Sequence, residues 1–296
     1  MKIYLDCIPC FIRQTIDAGR HAQLEDIQQE YLVRRVLQEI SVIRFTDSPP
    51  VMAAKIHAFI REFFDRGDPY SNIKDRSNAY ALALLPELKE EVQSSSDPFN
   101  TALRFAMAGN VIDYGATSSV ESDTIQRTLQ NAREAVLPED EIEQLKRAAE
   151  EADSILYIGD NAGEIVFDRL FIEQLPAGRV TFVVRGNPVL NDVTKVDAYR
   201  TGMTSVAKIM ESGSAAPGIL FNECSITFQR AFNKADLIIA KGQGNYESLS
   251  DAEAPITFLL MAKCHVIARD IGCEVGSFII KNNFVGNAHK QAKKIV

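Results

Sequence analysis

The chain contains no tryptophan, only four histidines, an odd five cysteines, and no long uninterrupted apolar run. Each scarcity removes a class of protein. The apolar runs are strand-sized and broken by charge, so no membrane-spanning helix is expected. The opening "MKIYLDCIPC" lacks the basic, apolar and small-residue succession of a secretory signal, which makes the cytoplasm the expected compartment. Five scattered cysteines do not make a disulfide framework. The histidines have no metal-ligand spacing; His57 falls among expected solvent-facing positions of its helix, and only His265, beside Cys264, has a chemically suggestive neighbour. No serine or cysteine triad is discernible. Positive charge is also short: 32 Lys plus Arg against 40 Asp plus Glu give a formal net charge of -8. That balance works against wide nucleic-acid footprints and anionic membrane surfaces, so an anionic ligand has to be small and held by local positive groups. Nothing in the composition fixes the oligomeric state.

What is present is a chain of 296 residues, 46% hydrophobic, long enough for one large domain or two modest ones. Its texture changes once. From Cys7 to about Glu151 nearly every segment has helical periodicity. "LEDIQQEYLVRRVLQEI" puts Leu24, Ile27, Tyr31 and Val36 near one face, and "VMAAKIHAFIREFF" does the same with Ile56, Phe59, Ile60 and Phe63. Ser48 before Pro49 and Pro50 is a helix start, "SSSDPFN" a polar hinge, and Pro138 opens a later helix. From Ser154 onward short apolar runs alternate with helical patterns: "SILYIGD", "GEIVFDRLFIEQL", "RVTFVVRG", "DVTKVDAYR", "DLIIAKG", "APITFLLMAKC", "HVIARDIG" and "SFIIKN". This alternation predicts a mostly parallel sheet covered on both faces. The expected fold is α/β, with a helical N-terminal part (1–95) and a three-layer α/β/α doubly wound part (96–296).

In open parallel sheets ligands bind beyond the carboxyl ends of the strands. Three such ends carry unusual chemistry here: "GDNAGE" at 159–164, "RGNPVLND" at 185–192 and "KGQGNYE" at 241–247. If those strands are neighbours, one crevice receives two carboxylates, several amides and a lysine. Asp160, the Asn161 carbonyl and Asp192 are hard oxygen donors suited to a divalent ion such as Mg²⁺ or Mn²⁺. Lys241 and the backbone N–H groups around Gly242, Gly244 and Asn245 suit phosphate oxygens, with Glu164 near enough in sequence to assist. Plainer roles exist for each: Asp160 and Asp192 as N-caps of the next helix, Lys241 as a solvated loop residue, the glycines as turn formers.

The ordered set "GDNAGE", "VLNDVT" and "DLIIAKGQGNYE", preceded by "AGNVIDYG" and by "CIPC", resembles the damage-control phosphatases, also called domain of unknown function 89. The "CIPC" is similar to that of the archaeal and bacterial branch. The resemblance spans essentially the whole chain. It implies a metal-dependent phosphatase of small phosphorylated metabolites, such as sugar phosphates, with Mg, Mn, Co or Ni bound at Asp160, Asn161 and Asp192. It also implies phosphate contact by Lys241 and a site role for Asn110 of the "GNxxD" motif at Gly109, Asn110 and Asp113. Gln243 departs from the acidic residue that some relatives carry in "KGD", which bears on substrate choice. Water attack on the phosphoester is favoured over a phospho-aspartate, because Ala162 stands where "DxD" phosphatases have their second aspartate.

Cys7 and Cys10 form a pair able to ligate a second metal or act in redox chemistry, yet no second C-x-x-C exists, and completing a closed site would require Cys264 or Cys273 to fold onto the pair. Two readings from other classes stay open. "ILYIGDNAGE" looks like the cofactor loop of an S-adenosylmethionine-dependent methyltransferase, although it has fewer glycines than such loops need. A non-catalytic phosphometabolite-binding protein would need the same anion pocket.

Overall fold

The computed structural model describes residues 1–63, 68–109 and 119–284, residues 119–125 by backbone alone. Seven helices come first: α1 (Cys7–His21), α2 (Asp26–Ser41), α3 (Pro49–Arg61), α4 (Ser71–Ser94), α5 (Pro98–Ala108), α6 (Ser119–Glu134) and α7 (Glu139–Glu151). Strand and helix then alternate: β1 (Ile155–Ile158), α8 (Glu164–Ile172), β2 (Val180–Val184), α9 (Lys195–Arg200), β3 (Lys208–Glu211), α10 (Ile226–Lys234), β4 (Leu237–Lys241), α11 (Gln243–Leu249), β5 (Ile256–Met261), α12 (His265–Ile271) and β6 (Phe278–Asn283).

The sheet order is β3-β2-β1-β4-β5-β6, parallel except for β6, which pairs antiparallel with β5. The chain reverses direction of travel across the sheet at β1, so the crevice between the ends of β1 and β4 is a topological switch point. Every residue of β1 and β4 is buried, as expected for central strands covered on both faces. One face packs on α4, α5, α7 and α8, with Tyr157 stacked on Phe182 at a ring distance of 5.5 Å. The other packs on α10, α11 and α12 around Phe228, Tyr246 and Phe258. Helices α1–α3 close around a third apolar cluster that includes Cys7, Phe11, Leu32 and Ile56.

The helix starts follow local chemistry. Pro49 and Pro50 occupy the first positions of α3 after Ser48, and Asp97 caps α5 by accepting from the Asn100 N–H at 3.2 Å. Three expectations about faces fail. Leu24 precedes α2 and is buried, while Ile27 and Tyr31 are 81% and 52% exposed. The helix carries two apolar stripes, and the one that packs runs through Leu32 and Val36. His57 is fully buried instead of solvent-facing; its Nδ1 meets the Tyr70 hydroxyl at 2.7 Å, and burial pushes its pKa down to about 3. The short edge strand β3 carried no expectation because "KIME" is only half-buried and lacks a long apolar run.

Candidate active site

The three strand ends singled out above come from adjacent strands, β2, β1 and β4, and the backbone stitches their loops together. Asn161 and Asp192 form an isolated antiparallel bridge. The Val193 N–H donates to the Asp160 carbonyl at 2.8 Å, and the Ala162 N–H to the Asn191 carbonyl at 2.8 Å. Neither aspartate is a helix cap. Gly163, at φ +80°, takes the N-cap position of α8, and Thr194 caps α9 in a reciprocal capping box with Asp197. Released from capping, Asp160 and Asp192 point their chemistry elsewhere.

Asp160, Asn161, Glu164 and Asp192 are each at most 8% exposed. The Asn161 side-chain N–H donates to Asp160 Oδ2 at 2.9 Å and reaches Glu164 Oε2 at 3.4 Å. Burial, followed by the charges of Asp192 and Glu164, holds Asp160 well above the usual carboxylate range; Arg185 and Lys263 pull in the opposite direction. A carboxyl in such surroundings gains from any added positive charge.

Lys241 is not a solvated loop lysine. It is fully buried, and its ammonium donates to Ala106 O at 2.8 Å, Glu164 Oε1 at 2.5 Å and Asp168 Oδ1 at 2.6 Å. All three donors are therefore used. Burial alone would lower its pKa, but Asp168 and Glu164 outweigh that and keep it charged. Asp168, one helical turn after Glu164, also accepts from the Tyr157 hydroxyl at 2.7 Å, and burial raises it to about 7 against the pull of Lys241.

The "KGQGN" turn is built for close approach. Gly242 lies at φ +79°, and a Cβ there would come within 1.9 Å of Asp160 Oδ2, so any side chain would displace the carboxylate. Gly244 sits in the first turn of α11 against the Pro217 carbonyl. Asn245 is fully buried: its amide N–H₂ donates to Lys241 O at 2.6 Å and Gly159 O at 3.3 Å, and its carbonyl accepts from Arg185 Nη1 at 3.2 Å. It ties the ends of β1 and β4 to Arg185. Gln243 bonds Glu247 at 2.9 Å and the Lys263 N–H at 3.1 Å, fixing the turn after β5. Gly159 serves packing: a Cβ there would lie 2.5 Å from the Phe182 ring.

Several residues of the site were not singled out in the sequence. Arg185, 1% exposed, donates through Nε to Asp192 Oδ2 at 2.6 Å and lies 3.7 Å from Asp160 Oδ1 through Nη2. On α4, Asn78 accepts the Gly163 N–H at 2.7 Å and donates to Asp197 Oδ1 at 2.9 Å. Lys74 bonds Asp68 and Asp197, each at 2.8 Å, and Thr194 at 3.1 Å. Arg61 of α3 reaches the Pro188 carbonyl at 2.9 Å. A sequence signal existed only for Arg185, which opens the "RGNPVLND" segment; Lys74, Asn78 and Asp168 lie on helices whose periodicity speaks only of packing. Asn110 and Asp113 lie outside the described residues.

A divalent ion fits this donor set on charge and on ligand type. Four buried carboxyl groups, Asp160, Glu164, Asp168 and Asp192, share the site with two buried cations, Lys241 and Arg185, so that acidic groups outnumber basic ones by two. Among the described residues no three His, Cys, Asp or Glu side chains make a cation cage by themselves, so an ion here would draw on the Asn161 amide and on water or substrate. Cys7 is buried in the first turn of α1 and Cys10 is exposed; Cys264 packs against the same apolar cluster as Cys7 and accepts a long 3.8 Å contact from Gln243.

Comparison with known proteins agrees with this architecture. The chain is 35% identical to an uncharacterised protein of Methanocaldococcus jannaschii over 95% of both chains. It is 37% identical to a damage-control phosphatase of Archaeoglobus fulgidus over 78% of this chain and 81% of that one. It is 29% identical to a damage-control phosphatase of Pyrococcus horikoshii over 96% and 99%. A crystal structure of a DUF89 family protein from Pyrococcus horikoshii superposes with a TM-score of 0.85 at 27% identity, covering 96% of this chain and 99% of that one. Residues 3–279 match the sequence profile of the damage-control phosphatase ARMT1-like domain, and the chain belongs to that family.

Proposed function

We propose that the protein is a metal-dependent phosphatase that hydrolyses phosphomonoesters of small metabolites, sugar phosphates or related and damaged compounds among them. One observation carries the reading: at the switch point of the sheet, four buried carboxyl groups share a crevice with only two buried cations, in a family whose curated relatives include phosphatases. Asp160, Asn161 and Asp192 would hold the ion, Mg, Mn, Co or Ni by donor type. When bound, such an ion polarises a phosphoryl oxygen and lowers the pKa of water.

The chain's own residues do the rest. Asp160, buried at the carboxyl end of β1, is the carboxylate placed to take the proton of the attacking water. Asn161 orients that carboxylate from the adjacent position through Oδ2. Lys241 acts from beneath: it bonds Glu164 and Asp168 together and holds Glu164 aimed at Asn161. Gly242 lets the β4–α11 turn back directly onto Asp160. The family membership supports a phosphatase over the methyltransferase alternative, for which the loop after β1 offers only Gly163 beyond Asp160.

The test is hydrolysis of an aryl phosphate and a sugar-phosphate panel by chelated protein, with each divalent ion returned, beside Asp160→Ala, Asp192→Ala and Cys7→Ser. Metal-dependent turnover that falls by at least about a thousandfold in both aspartate variants and survives in Cys7→Ser is expected. Equal loss in all three, or no turnover with any ion, would sink the reading.

A further inference from the structure

With Lys241 fully engaged beneath Glu164, the phosphate of a substrate needs another partner. Two side chains of the 185–192 segment have unused hydrogen-bonding capacity in the interior. Arg185 Nη2 is buried with no hydrogen-bond partner, although Nε and Nη1 of the same guanidinium are bonded to Asp192 and Asn245. Asn191, 2% exposed, has neither its amide N–H₂ nor its amide oxygen bonded, while its backbone carbonyl holds Ala162 in the metal-loop segment. Leaving a buried donor unbonded costs on the order of 1–3 kcal/mol, and a native interior rarely keeps several such groups in one loop segment without a use for them.

We propose that Arg185 and Asn191 form the phosphate-binding subsite of this crevice, taking the non-bridging oxygens of a phosphomonoester. The proposal rests on the phosphatase reading of the same site. The guanidinium is already oriented: Asp192 and Asn245 grip two of its nitrogens and leave the third directed toward Asp160, 3.7 Å from Oδ1. A planar fork fixed in this way presents its remaining N–H groups in one direction with little further loss of side-chain entropy, which a flexible lysine does not achieve. The surrounding carboxylates set a condition on binding. With carboxyl groups outnumbering cations the crevice disfavours a dianion; once a divalent ion offsets them, Arg185 becomes the available donor and Asn191 adds a neutral one. Phosphate and metal should therefore bind with positive coupling, each tightening the other by the same factor.

The experiment is calorimetric titration of inorganic phosphate into the whole protein, with and without Mn²⁺, together with Mn²⁺ titrations and substrate KM. Wild type, Arg185→Lys and Asn191→Ala are compared. The wild type is expected to bind phosphate only with the metal present. Arg185→Lys should weaken phosphate about ten- to hundredfold, the effect of losing one charge-assisted hydrogen bond, with a matching rise in KM and Mn²⁺ affinity changed less than about threefold. Asn191→Ala should weaken phosphate by about three- to tenfold with the same pattern. Unchanged phosphate affinity in Arg185→Lys, with Mn²⁺ affinity falling instead, would make Arg185 a counter-ion of Asp192 and overturn the proposal. If Arg185→Lys does not fold, unchanged phosphate binding in Asn191→Ala overturns it. Because binding is read without turnover, the two readings fail separately. Phosphate held through Arg185 by a protein that hydrolyses no ester would remove the phosphatase reading alone. Hydrolysis with unaltered KM in Arg185→Lys would remove this one alone.

Discussion

Two buried polar clusters meet the loops after β1 and β2, and they differ in how completely they are bonded. In the first, on α4, Lys74 uses Asp68, Asp197 and Thr194, and Asn78 uses both ends of its amide on Gly163 and Asp197. In the second, around Asp160, Arg185 Nη2, Asp168 Oδ2 and both ends of the Asn191 amide have no hydrogen-bond partner. The finished network fixes geometry, and the unfinished one retains capacity for something that binds. A fully bonded interior network rigidifies; open polar atoms in the same low-dielectric surroundings are costly unless a ligand uses them. The helical part of the chain thus serves the α/β crevice by anchoring both loops, at Gly163 and at Thr194 through Asp197, to one helix.

The comparison breaks most severely at Lys241, the residue on which the crevice itself depends for stability. Lys241→Met should destabilise the protein by about 3–5 kcal/mol, because Glu164 and Asp168 would be left buried without their cation. Thermal or denaturant unfolding checks this. A loss below about 1 kcal/mol would mean that the two carboxylates find other partners, and would weaken the view of Lys241 as the foundation of the site.

A smaller effect is expected at Asn78, and it sharpens the distinction between anchoring and binding. Asn78→Ala removes the acceptor of the Gly163 N–H, just beyond Asp160 and Asn161. Residues that orient metal ligands from behind typically contribute about 10–100-fold in metal affinity. The expected outcome is a Mn²⁺ affinity lowered in that range, with kcat recovered at saturating metal and KM for substrate unchanged. A loss of kcat that excess metal does not restore would place Asn78 in the chemistry instead.

How far the sequence reaches can be judged from these same residues. The central strands were legible because a buried parallel strand must be a short continuous apolar run, and "ILYI" and "LIIAK" are that. The chemistry of the strand ends led to Asp160, Asn161, Glu164, Asp192, Gly242 and Asn245, the family motifs to Asp160, Asn161 and Asp192 again, and the fold gathers these six in one crevice. What stayed hidden was direction. Lys241 has the same letters whether it faces a ligand or lies beneath Glu164, and only the packing of α5 and α8 over β4 decides. Ile27 and Tyr31 recur at helical spacing as well as Leu32 and Val36 do, so periodicity could not say which stripe of α2 is covered. Lys74 and Asn78 carry no motif because, Asp68 aside, their partners are distant in the chain: Thr194 lies 120 positions from Lys74, and Asp197 and Gly163 lie 119 and 85 positions from Asn78.

The smallest effect concerns the edge of the crevice, where Gln243 links the "KG" turn to Glu247. The residue as a whole is partly exposed, but its carboxyl group is enclosed, and burial raises it to about 7 while the Gln243 N–H₂ at 2.9 Å pulls it back only in part. Its value in the unfolded chain is near 4.5. Between those two values the unfolded state has already lost the proton that the folded state keeps, so unfolding releases a proton and stability falls as pH rises. Glu247→Gln removes that titration while preserving shape. The variant and the wild type should therefore have similar melting temperatures near pH 4.5, and the variant should gain progressively up to pH 7, beyond which the gap stays constant. Melting curves across that window check it. A gap that does not change with pH would show that the Glu247 carboxyl titrates alike in both states, and that the contrast between bonded and unbonded interior groups ends at Gln243.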